Sequence, residues 1–279
     1  MSIVTFWSNS QEKVNKTLSM IAVATDMAIE HNYKILVITA GKHDDTLYKC
    51  FWEDKKKIVK KTKNSKVGNN INLGENIEGL IRMMRSNKLT AEAITNYTKI
   101  IFKDRLEILQ GYEIDENEEN DIASNYPEVI KTADKYYDLI FVDLNNDIGQ
   151  ELVDKILEKS DLIVANINQR ISKINEFINL REEKPILKSA KTVLTLGDYD
   201  KNSKYSVSNI TRYMGEKNKI SSIPYNTLYL EASEEARVPD LFLRLRKISE
   251  SNENYTFISE IRRTSQNIMY RLQDLQVRI

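Results

Sequence analysis

Apolar residues fall in short continuous runs at positions 3–7, 35–38, 106–109, 139–142, 162–165, 193–196 and 220–223. A short run that does not alternate with polar residues reads as a strand buried on both faces. Between the runs the apolar residues recur at helical spacing. Met20, Ala24, Met27 and Ala28 mark a helix over 16–31. Further helices are predicted over 77–85, 91–102, 127–136, 150–159, 171–181 and 205–215, with Pro127 at a first helical position. Strand–helix alternation over most of the chain predicts an α/β fold of three layers. A mostly parallel central sheet carries helices on both faces, with right-handed crossovers. No stretch rich in Gly, Pro or Ser divides the chain, so one domain is expected over 1–250 and a C-terminal amphipathic helix over 251–279.

That last helix has a pattern of its own. Ile258, Ile261, Ser265, Ile268, Leu272, Leu275 and Ile279 are spaced alternately three and four apart, a heptad seam with one polar position. Arg262, Arg263, Arg271 and Arg278 flank it. A helix of this length needs packing to be stable. The seam fits three roles: packing on its own domain, pairing with a second copy or a partner protein, or lying on a membrane surface.

Composition narrows the function classes. The 279 residues carry 41 Lys+Arg and 41 Asp+Glu, so net charge points to neither nucleic acid nor an acidic partner. The single cysteine, Cys50, excludes an internal disulfide and fits a reducing compartment. His31 and His43 are too few for a histidine metal centre. The start has no basic region before its apolar run, and no stretch reaches the length of a spanning helix, so a cytoplasmic protein is expected, with peripheral membrane association left open. Two segments are strongly charged. The lysine-rich one includes Lys55, Lys56, Lys57, Lys60 and Lys61, and the acidic one covers 113–122. Solvated surface accounts for both; a phosphate, lipid or DNA contact is the functional reading of the first.

Chemistry is suggested at residues 8–20, "SNSQEKVNKTLSM". A strand, a loop and Lys16-Thr17 opening a helix form the layout of a phosphate-binding loop, but such loops need glycine and this one has none. The stretch resembles the deviant Walker A region of the ParA/MinD family of P-loop ATPases. The resemblance puts Lys16 on the phosphate-binding lysine and Thr17 on the hydroxyl that holds Mg²⁺. Gln11 stands where the family has a signature lysine, and Glu12, Lys13 and Asn15 stand on its glycines. Side chains at 12 and 13 obstruct the approach of the backbone to phosphate, and Glu12 adds a repelling charge. Asn15 is the mildest loss, because asparagine tolerates left-handed backbone.

Other landmarks are similar. "YYDLIFVDLNND" resembles the Walker B strand and places Asp143 on Mg²⁺; "ISSIPYNTLYLEASEEARVP" resembles a later segment of the family. Elsewhere the chain departs. Thr39 and Gly41 occupy the places of two carboxylates after the second strand, Gly197 and Asp198 those of an Asn-Arg pair that reads adenine, and "LIVANINQR" lacks a proline. The likeness covers roughly residues 1–248. It implies a degenerate site in which Gln11, Asn15, Lys16 and Thr17 meet nucleotide and Thr17 and Asp143 meet metal. No catalytic residue is named. Weak ATP and Mg²⁺ binding and no cofactor at all stay equally open. The expected function is a pseudo-ATPase acting through protein contacts as a localisation or assembly factor, of the pilus, secretion or partition type, with the CpaE/TadZ branch as one home for it. The alternatives are an active, dimerising ATPase for partition or division-site placement, and a nucleic-acid-binding protein using the lysines at 55–66.

Overall fold

The structure, a computed structural model, describes residues 2–9, 16–43, 45–53, 77–86, 89–113 and 122–277. In chain order its elements are β1 (Ser2–Trp7), α1 (Lys16–Glu30), β2 (Ile35–Ala40), α2 (Asp45–Lys49), α3 (Ile77–Arg85), β3 (Lys99–Phe102), β4 (Leu106–Leu109) and α4 (Tyr126–Ala133). There follow β5 (Leu139–Leu144), α5 (Gln150–Lys159), β6 (Leu162–Ile167), α6 (Ile171–Glu183), β7 (Thr192–Tyr199) and α7 (Val207–Met214). The chain ends with β8 (Ser221–Pro224), α8 (Thr227–Glu234), α9 (Val238–Leu245) and α10 (Tyr255–Val277). Among the described residues the strands form one sheet in the order β3-β4-β2-β5-β1-β6-β7-β8. All neighbours are parallel except β3 and β4.

The continuous apolar runs are the reason for this arrangement. Every residue of β2, β5 and β6 is buried, as strands covered on both faces must be. Two buried clusters lie on opposite faces. One joins the sheet to α3, α4, α5, α6 and α7, and the other joins it to α1, α2, α8, α9 and α10. The predicted three-layer α/β fold is present. Because β1 lies between β5 and β6, the strand order reverses at its carboxyl end, where open α/β sheets form their ligand crevice.

The structure corrects the helix predicted over 91–102. A 3-10 turn occupies Glu92–Tyr97, and the chain then extends as β3 in antiparallel register with β4. The apolar sequence of β3 finds backbone partners across a short turn in which Asp104 adopts φ 58°. Helical spacing there reflected a strand at the sheet edge.

The heptad seam is used inside the chain. Ile258, Ile261, Ile268 and Leu272 are each at most 3% exposed, packed with α1 and the sheet, and Leu275 is partly buried against the same cluster. These residues are therefore unavailable as the partner surface suggested for them; Ile279 lies outside the described residues. The polar seam position explains itself too, since Ser265 Oγ donates to Asp26 Oδ2 of α1 at 2.9 Å. Helix α10 also covers the edge strand β8. Asn267 Nδ2 donates to Ser221 Oγ at 3.0 Å, and Ser222 Oγ donates to Glu260 Oε2 at 3.2 Å.

Candidate functional site

Helix α1 is buried nearly all round, including its first residues, Lys16 and Thr17. It leaves the carboxyl end of β1 and runs across the sheet, so its start faces the ends of β1 and β5. Asp143, the fifth residue of β5, has no exposed surface. A buried carboxylate is costly unless it is paired. Here it is: Lys16 Nζ lies 2.7 Å from Asp143 Oδ1, and Thr17 Oγ1 donates to Asp143 Oδ2 at 2.8 Å. Lys16, Thr17 and Asp143 are thus brought together as the sequence expects.

The lysine has two further acceptors. Its ammonium donates to Leu144 O at 2.6 Å and to Asn145 Oδ1 at 2.9 Å. An ammonium has three protons. Two of them are donated to these oxygens, and the charge is paired with Asp143 without a hydrogen bond to its Oδ1. The threonine hydroxyl and the Asp143 carboxylate are donor types that suit a hydrated Mg²⁺. Among the described residues, no group of three or more His, Cys, Asp or Glu is placed to hold a metal ion.

Asn145 and Asp147 are site residues that sequence reasoning missed. The signal was present in the polar run Asn145-Asn146-Asp147 directly after an apolar strand, at the strand's carboxyl end. Their neighbour is Gly41, just after β2. The backbone there has φ +147°, and a Cβ would meet Asp147 Oδ1 at 2.5 Å and Asn145 Cβ at 2.7 Å. Only glycine fits. The segment is held firmly: Tyr112 N and the buried Tyr126 hydroxyl both donate to Gly41 O at 3.2 Å, and Asp147 Oδ2 accepts from Lys42 N at 3.1 Å. Asp147 is accessible to solvent, but its contact with the protein strips enough water to raise its carboxyl above the usual carboxylate range. The Lys42 N–H and the charges of Lys42 and Lys16 oppose that rise.

Thr39 is paired in register with Asp143, and its hydroxyl is buried without a hydrogen-bond partner among the described residues. It lies beside the ion pair without joining it. Trp7 Nε1 donates to Asn146 Oδ1 at 3.0 Å, and Asn146 Nδ2 donates to Ser8 O at 2.9 Å, tying the end of β1 to the end of β5. Asp198 is exposed, with φ 49°. With Tyr199, Tyr225 and Phe257 it lines a separate cleft of about 920 Å³ beside β8, which none of Lys16, Thr17 and Asp143 borders. Gln11, Glu12, Lys13 and Asn15 lie outside the described residues, as do Lys55, Lys56, Lys57, Lys60 and Lys61.

No protein-family model and no curated protein matches the sequence. Solved structures match the fold along nearly the whole chain. One is a ParA family ATPase from Chlorobium tepidum TLS, with TM-score 0.66 and 14% identity over 97% of this chain and 98% of that one. Another is the septum site-determining protein MinD of Pyrococcus horikoshii OT3 complexed with Mg-ADP, with TM-score 0.61 and 15% identity over 97% and 98%. A third is the MinC:MinD cell division protein complex of Aquifex aeolicus, with TM-score 0.59 and 16% identity over 95% and 96%. The chain has the ParA/MinD-like P-loop fold.

Proposed function

We propose that the chain is a degenerate ParA/MinD-like P-loop protein that binds nucleotide weakly or not at all and acts through protein contacts. Its role would be that of a localisation or assembly factor. The observation that carries this reading is the engagement of Lys16 by the end of β5: its ammonium donates to Leu144 O and Asn145 Oδ1 and lies 2.7 Å from Asp143 Oδ1. Thr17 is likewise engaged with Asp143. The absence of glycine from residues 8–20 supports it, because the backbone cradle for phosphate needs that freedom. The MinC:MinD complex supports the protein-contact half of the reading by likeness of fold. The seam of α10 is not the contact surface proposed; the exposed faces of the domain are.

The test is calorimetric titration with Mg-ATP. Little or no heat is expected, and a site with a dissociation constant of about 1 µM or tighter would overturn the reading. A second reading, a working ATPase, draws on one specific observation: the Thr17–Asp143 pair at 2.8 Å keeps a hydroxyl and a carboxylate suited to Mg²⁺. It requires Lys16 to leave its present acceptors, and it predicts Mg-ATP turnover that stops in Thr17→Ala.

A further inference from the structure

We draw no further inference here: the strongest candidate, the cleft of about 920 Å³ beside β8 between α7 and α10, sets acidic and basic side chains together around its aromatic lining, and nothing in the structure shows what covers it.

Discussion

Replacing Lys16 by methionine keeps the length and apolar stem of the side chain and removes only its charge. The structure gives that charge a part in the fold. The side chains of Lys16 and Asp143 are 10% and 0% exposed, so solvent cannot take over the role of the ammonium. Asp143 would keep the Thr17 hydroxyl alone, and Leu144 O and Asn145 Oδ1 would each lose a donor. Removing one member of a buried ion pair costs about 3–5 kcal/mol; the surviving Thr17 bond places this case near the lower end, about 3 kcal/mol. For a chain of this size that corresponds to a fall in melting temperature of roughly 6–12 °C. Urea unfolding followed by circular dichroism gives the free energy. Fluorescence of the buried Trp7, bonded to Asn146 at the same strand ends, reports the site locally. The double variant Lys16→Met/Asp143→Leu should recover much of the loss, because an apolar pair of similar volume replaces the ions without stranding either. A Lys16→Met midpoint within about 0.5 kcal/mol of the original would refute the reasoning, since surface changes do no more than that.

Two further outcomes are expected. Burial pushes the Asp26 carboxyl up to about 6, against the Ser265 hydrogen bond and the Arg262 charge. The native state then holds this proton where the unfolded chain, at about 3.9, has lost it, so the group's stabilising effect is present below about pH 4 and is lost as pH rises through 6. Asp26→Asn should gain about 2–3 kcal/mol over the original at pH 7.5 and almost nothing at pH 4. Urea midpoints at both values decide this, and a difference independent of pH would contradict it. Gly111→Ala forces a Cβ to within 2.1 Å of Gly41 O, a backbone atom that cannot swing aside. It should cost about 2–3 kcal/mol. Gly149→Ala, at φ +85° and ψ 145° with nothing within 4 Å, should show backbone strain alone, about 1–3 kcal/mol in the same melting assay.

Much of the fold was legible because strand burial leaves a direct mark. The runs at 35–38, 139–142 and 162–165 became fully buried central strands, as continuous apolar runs must. The run at 99–102 misled because Lys99–Phe102 lies at the sheet edge, where burial is partial and the two periods are hard to separate. Lys16, Thr17 and Asp143 could be singled out individually by their places at a helix start and a strand end. Asn145 and Asp147 carried a weaker sign, two polar residues in an ordinary-looking turn, and their meaning depends on Gly41, more than a hundred positions earlier.

The sequence by itself determined the layers, seven of the eight described strands, and the shape of a strand, a loop and a helix that begins with lysine. These follow from local periodicity, which records which face of each element is apolar. Only the tertiary structure decided which faces meet. It placed the α10 seam on α1 and β8, and it set the Lys16 ammonium against Asp143, Leu144 and Asn145, on a strand end 127 to 129 residues away. It also brought Asp147 over Gly41. Periodicity carries no information about such pairings, because a hydrogen bond or an ion pair depends on distance in space, and the sheet order brings remote strand ends within a few ångströms of one another.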